Sequence, residues 1–174
     1  MNVTKAIARA KKVLEENYVV EPPVDVYLLA ANSGIEIREE AFPVEFVNVS
    51  GFINFESDHP VMYVNANDPP NRRKFTVAHE LGHWLLHEKI IRNDSKKTVL
   101  FRMALGADKD PIETEANAFA AELLVPMDMF EREEDAKSVK DLADIFEVSA
   151  DVIGYRKKDR HRNEEVSTEP VEQA

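Results

Sequence analysis

Phe75-Thr76-Val77-Ala78-His79-Glu80-Leu81-Gly82-His83-Trp84-Leu85-Leu86-His87 is the stretch on which the reading of this chain turns. Phe75, Ala78, Leu81, Leu85 and Leu86 recur at helical spacing, so the pattern predicts a helix from Arg72 to about Glu88. Residues four apart stand on one face of a helix, and His79 and His83 can direct both imidazoles at one cation. Glu80 follows the first of them, where a carboxylate can bind and polarise a water held by the metal. Two ordinary surface histidines with a Glu between them are the bland alternative, because His-Glu-x-x-His is short enough to arise by chance. The helical context weighs against that alternative. Gly82 in mid-helix costs roughly 0.5–1 kcal/mol relative to Ala; close approach of another backbone is the simplest compensation, and plain packing would also explain it.

A zinc site that does catalysis needs a third protein ligand and an open position for water. His87 follows His83 by another four residues, but in a straight helix it lies about 12 Å along the axis from His79. Three such histidines cannot share one ion, so His87 reads as structural or solvent-exposed. The longer motif in which a glycine bends the chain toward a third His is absent from Trp84 to Lys89. The search therefore moves to a second helix, from Pro111 to Leu124, opened by Glu113 and Glu115. Both acids also suit the first turn of a helix, whose dipole favours negative charge. Glu113 is favoured over Glu115 because Asn117 lies four residues on, on the same face. There its carboxamide oxygen can accept the outer N–H of a ligating His. Ala116, Ala118, Ala120 and Ala121 are small enough to let this helix approach the first near Gly82.

Working outward, the 174 residues suit one domain with a small appendage. Apolar residues at 44% and charged residues at 32% allow a packed core and argue against global disorder. The absence of Cys excludes a disulfide scaffold, a thiol nucleophile and thiolate ligands, leaving His, Asp and Glu to bind metal. A net charge of -11 repels a phosphate backbone, so direct DNA binding is disfavoured. No apolar run approaches a membrane span, and the charged N-terminus lacks the core of a secretory signal. The expectation is a soluble cytoplasmic protein without membrane contact.

The remaining pattern predicts an amphipathic helix over residues 3–18, a helix over 24–32 stopped by Gly34, and a strand at 35–38. Residues 41–50 are ambiguous. Gly51–Glu56 and Val61–Asn65 read as strands with a turn at residues 57–60. Residues 89–112 look irregular, with a strand signal at Thr98 to Met103. Val139 to Phe146 suits a helix, and Ser149 can N-cap another through Tyr155. The sum is an α+β fold with a small antiparallel or mixed sheet. We divide it into residues 1–136, a C-terminal helical pair at 137–158 and a disordered charged tail at 159–174.

Phe75 to His87, followed by Glu113-Thr114-Glu115-Ala116-Asn117-Ala118-Phe119-Ala120 and on to Pro126, resembles the ImmA/IrrE family of metallopeptidases. The similarity covers roughly residues 20–156. It implies a zincin-like fold and a single ion, normally Zn2+, with Mn2+ or another divalent ion compatible. It places the third ligand on Glu113. It implies a metallo-endopeptidase acting on a protein substrate, a helix-turn-helix repressor of the Xre type, and so relieving repression of a mobile element or of stress-response genes. Related proteases often carry Asp where this chain has Asn117; a neutral amide orients a His less strongly, so water activation should be weaker. Val125 stands where Met is common.

In the implied mechanism Glu80 is base and then acid in peptide hydrolysis. The second oxyanion donor is not identified; Tyr63, His59, Tyr155 and Arg156 are candidates. Leu142 to Arg156 looks like a helix-turn-helix, yet residues 127–151 carry nine acids and three bases. A surface of net -6 suits DNA poorly, and a packing or substrate-docking role is expected. The competing classes are a non-catalytic, metal-stabilised regulatory binding protein and a toxin-system component acting on another protein.

Overall fold

In the computed structural model, which describes residues 2–46, 48–56, 58–93 and 110–168, two helices cross at the centre. The first, α3, spans Pro70–Asn93, and the second, α4, spans Pro111–Leu124. Leu81 of α3 and Phe119 and Leu123 of α4 are fully buried, each contributing about 1.5–3 kcal/mol of hydrophobic stabilisation. α1 (Val3–Glu16) lays Ala6, Ala10, Val13 and Leu14 against this pair, the helical stripe expected from its sequence. α2 (Val26–Asn32) adds Val26, Leu29 and Ala30, with Asp25 as N-cap. Gly34 follows it at φ 79°, the left-handed conformation that ends helices.

Three strands form a mixed sheet in the order β1-β3-β2. β1 (Glu36–Glu40) is parallel to β3 (His59–Asn65), with Glu36 opposite Val61. β2 (Gly51–Glu56) is antiparallel to β3, with Glu56 opposite His59. Asp58 in the turn between them takes φ 67°. The central strand contributes Val61, Met62 and Val64 to the buried interior. Gly51 is needed where it stands: a Cβ there would lie 2.5 Å from Thr76 Cγ2 and 2.7 Å from the Tyr63 carbonyl oxygen. Its absence lets the start of β2 touch α3 one turn before His79.

α5 (Met127–Glu133), α6 (Val139–Phe146) and α7 (Ala150–Thr168) complete the architecture. Leu142, Phe146 and Ile153 join the same buried cluster as α1 to α4. Ser138 and Asp141 form a reciprocal capping box at the start of α6.

The α+β architecture with its small mixed sheet matches the expectation, and several details differ. α3 continues past Glu88 to Asn93 because the chain bends at His87, whose φ of -128° and ψ of 18° are not helical. A bend re-aims the last turns, which a straight periodicity does not foresee. α5 was not anticipated; its seven residues give too short a window for a periodic signal. Residues 44–46 within the ambiguous segment form a 3-10 turn. The expected end at Tyr155 and the expected disordered tail are corrected up to residue 168: α7 runs to Thr168. No Gly or Pro interrupts residues 155–168, and Arg156 pairs with Asp159 one turn on at 3.8 Å. Residues 169–174 and the strand signal at Thr98 to Met103 lie outside the described residues.

Candidate metal centre

α3 presents His79 and His83 one turn apart, with ring centroids 4.5 Å from each other and the planes at 77°. α4 starts with Asp110, whose carboxylate accepts from the Ile112 N–H, and with Pro111 in its first turn. Glu113 thereby sits at the positive end of the helix, where a carboxylate is favoured. Its oxygens lie 3.1 Å from His79 Nε2 and 3.2 Å from His83 Nε2. One donor atom from each of His79, His83 and Glu113 lies within 4.8 Å of the others. Two imidazole nitrogens and one carboxylate oxygen are the donor set of open zinc sites, and the group is compatible with a divalent metal ion.

The outer nitrogens are also engaged. His79 Nδ1 is 2.9 Å from Asn117 Oδ1. A carbonyl oxygen can only accept, so this contact holds the proton on Nδ1 and leaves Nε2 free for a cation. Asn117 thus stands against His79, the position the sequence suggested. Burial works to raise the pKa of Glu113, but without a cation, rings protonated at Nε2 donate to it from His79 and His83, and these bonds hold it well below the usual carboxylate range. Glu80, 2% exposed, is buried beside this cluster in sequence and in α3.

Glu115 is turned elsewhere: its Oε2 lies 3.1 Å from His87 Nε2, and its Oε1 accepts the Asn2 backbone N–H. These bonds, with His87 first, lower the Glu115 pKa. His87 is 7% exposed, so the solvent-exposed alternative is corrected. Its Nδ1 lies 3.4 Å from His83 Nδ1. The spacing argument removed His87 from the cation and then set it aside. The same four-residue spacing that aligns His79 with His83 also aligns His83 with His87, and that was the signal to follow.

At Gly82 the structure favours packing, the second of the two compensations, over approach of another backbone. A Cβ there would meet the Phe119 side chain, at 2.9 Å from Cδ1 and 3.2 Å from Cβ, rather than another backbone. Of the oxyanion candidates, Arg156 is buried and committed: Nε donates to the Val125 carbonyl at 2.7 Å, and the guanidinium pairs with Glu122. The Tyr63 hydroxyl donates to Glu56 and accepts from Arg38. His59 opens β3 opposite Glu56, at the turn end of the hairpin. Tyr155 is 67% exposed. It lines a cavity of about 780 Å³ together with Phe75, Asn117, Ala121, Leu124 and Val152. Phe75 and Asn117 both contact His79, so this cavity adjoins the centre.

Residues 30–158 match the model of the IrrE N-terminal-like domain, Peptidase_M78. "Uncharacterized immunity region protein 2" of Bacillus phage phi105 is 35% identical over 78 residues, which are 45% of this chain and 46% of that relative. A solved structure titled "Mycobacterium tuberculosis transcriptional regulator" superposes with a TM-score of 0.61 at 19% identity, over 88% of this chain and 46% of that one. Both alignments thus span about half the length of the protein matched, and the second is a likeness of fold. Among the described residues, no helix is long and apolar enough to cross a membrane.

Proposed function

Since the chain belongs to the Peptidase_M78 family of IrrE N-terminal-like domains, we propose that it is a zinc-dependent endopeptidase whose substrate is a helix-turn-helix transcriptional repressor. The observation that carries this reading is the meeting of His79, His83 and Glu113 within 4.8 Å, with both histidines on the helix that also carries Glu80. A zinc ion held by these three side chains would lower the pKa of a water from about 15.7 toward 7 and polarise the scissile carbonyl. Glu80 takes the proton as the water oxygen bonds to the carbonyl carbon. It then gives that proton to the amide nitrogen as the C–N bond breaks. Asn117 holds the His79 ring in the orientation this requires. For the oxyanion donor we take Tyr155, which is exposed and lines the adjoining cavity.

The substrate chain adds as a further strand to β2. Among the described residues β2 pairs with β3 alone, and its first residue touches α3 at Thr76. Main-chain hydrogen bonds along that edge hold an extended peptide across the centre. The apolar cavity lined by Phe75, Leu124 and Val152 receives a side chain of that peptide. A repressor is favoured as substrate for two reasons. A phage immunity-region protein is among the relatives, and basic DNA-binding surfaces are attracted to a chain of net charge -11.

The test is incubation of zinc-loaded protein with the helix-turn-helix repressor encoded beside it, followed by intact mass. Discrete fragments, absent with chelator and reduced at least about 100-fold in Glu80→Gln while zinc stays bound, support the reading. An intact repressor in every sample refutes it, and normal cleavage by Glu80→Gln refutes the assignment of the base.

A further inference from the structure

We propose that His87 and Glu115 form a positioning relay that fixes the ring and tautomer of His83, an inference that rests on the metal-centre reading above. His79 and His83 both turn Nε2 toward the Glu113 carboxylate, so Nε2 is the ligating atom of each. A neutral imidazole that ligates through Nε2 carries its proton on Nδ1. In His79 that proton is taken by Asn117. In His83 the facing atom is His87 Nδ1, at 3.4 Å.

A donor must face an acceptor. His87 Nδ1 therefore holds a lone pair, and the His87 proton sits on Nε2. That nitrogen is 3.1 Å from Glu115 Oε2, a carboxylate that can only accept. With a cation between the Nε2 atoms of His79 and His83, which lie 2.9 Å apart, every atom in the series has one consistent role. The Glu115 carboxylate accepts from His87 Nε2–H, His87 Nδ1 accepts from His83 Nδ1–H, and His83 Nε2 faces the cation. Reversing either ring would set two lone pairs or two protons against each other. The negative charge at the far end makes His83 a more basic ligand, as a carboxylate behind a ligating His does.

Three further observations separate this arrangement from an incidental contact. His83 and His87 are buried, at 1% and 7% exposure, so bulk water does not replace the series as the acceptor. The backbone of α3 leaves helical geometry at His87 itself, the residue that closes on His83. Glu115 is anchored from a third element, because its other oxygen accepts the backbone N–H of Asn2, whose side chain caps α1. The two ligating histidines are thus oriented differently, one by a single amide and the other through an imidazole to a carboxylate.

The test is competitive zinc titration of the full chain, with the melting temperature of the metal-free protein measured alongside. His87→Phe keeps an aromatic ring but removes the Nδ1 acceptor that faces His83, and zinc affinity should fall about 10–100-fold. His87→Gln restores an acceptor oxygen and should recover most of that loss, even where both variants shift the metal-free melting temperature equally. Glu115→Ala should give an intermediate loss. In the zinc-loaded wild type, nitrogen-15 NMR should show His83 protonated at Nδ1 and His87 at Nε2. Wild-type affinity in His87→Phe, equal losses in His87→Phe and His87→Gln, or a His87 proton on Nδ1 would each overturn the relay and leave the metal centre standing. Failure of the wild type to bind zinc would overturn the centre itself, and the relay with it.

Discussion

Gly82→Ala places two opposing terms on one atom. On an exposed helix the change would stabilise by about 0.5–1 kcal/mol, because glycine loses more backbone entropy on folding than alanine does. Here the new methyl would stand 2.9 Å from Phe119 Cδ1 and 3.2 Å from both its Cβ and Cγ. A rotation of the ring can relieve the first contact, but Cβ moves only with the backbone of α4. Phe119 is fully buried, and forcing an extra carbon into such a core costs about 1–3 kcal/mol. The overpacking term is the larger, and we expect a net loss of about 1–2 kcal/mol, lowering the melting temperature by roughly 2–8 °C for a chain of this size. The displacement has a second effect. Glu113, Asn117 and Phe119 share α4, so pushing that helix from α3 draws the carboxylate from the histidines and weakens zinc binding. Phe119→Leu in the same background should recover part of both. Calorimetry and zinc titration of the three proteins decide the matter. A raised melting temperature in Gly82→Ala would mean that helix propensity prevails and that the contact with Phe119 is slack.

Arg156→Met leaves the Glu122 carboxylate, 1% exposed, facing among the described residues only a weak bond from the Met127 N–H at 3.5 Å and Lys11 at 3.9 Å. An uncompensated buried charge costs about 3–5 kcal/mol. The double variant Glu122→Leu with Arg156→Met should recover most of it in denaturant unfolding, and a loss below about 1 kcal/mol in the single variant would contradict this. For Tyr27, burial first and then its 2.6 Å hydrogen bond to Glu39 raise the pKa to about 12. The folded state holds this proton more tightly than the unfolded chain, whose tyrosines titrate at about 10. Its contribution to stability is therefore complete below pH 10 and is lost as pH rises toward about 12. Tyr27→Phe should remove that transition from the ultraviolet difference titration and flatten the alkaline fall in stability; an unchanged alkaline profile would refute the link.

The parts legible in the sequence are those that repeat with a regular period or carry a fixed local signal. The α1 stripe, the end of α2 at Gly34, the β2–β3 hairpin and the start of α4 at Pro111 were all of this kind. So was the meeting of His79 and His83, which needs only the pitch of one helix. The convergence of Glu113 on that pair is a contact across 30 residues or more, and spacing alone left Glu115 open beside it. The discriminating fact is three-dimensional: two residues along α4 the side chain faces His87 instead of the centre. The bend at His87 and the seven residues of α5 gave no periodic signal. The role of Gly82 was half legible. Its cost in a helix announced a close neighbour, but only the fold shows that the neighbour is the ring of Phe119.

A metal centre shared by two helices is only as well defined as the register between them, and the fold constrains α4 from four sides. Asp110 and Pro111 fix where its first turn begins, and with it the position of Glu113. In the middle, Phe119 seats in the space left by Gly82, setting both the separation from α3 and the rotation about the α4 axis. The last turn is held by Arg156, which donates to the Val125 carbonyl and to the Ala121 carbonyl that also accepts the Val125 N–H. From the far side, the Asn2 N–H holds Glu115. Donor geometry must hold within about 0.5 Å for a site of this kind to function, and no single contact on an exposed helix gives that precision. The sheet, α1 and the C-terminal helices can then be understood through what they do to α4. Substitutions at Gly82, Arg156 and Glu115, none of them a ligand, therefore act on the centre through α4.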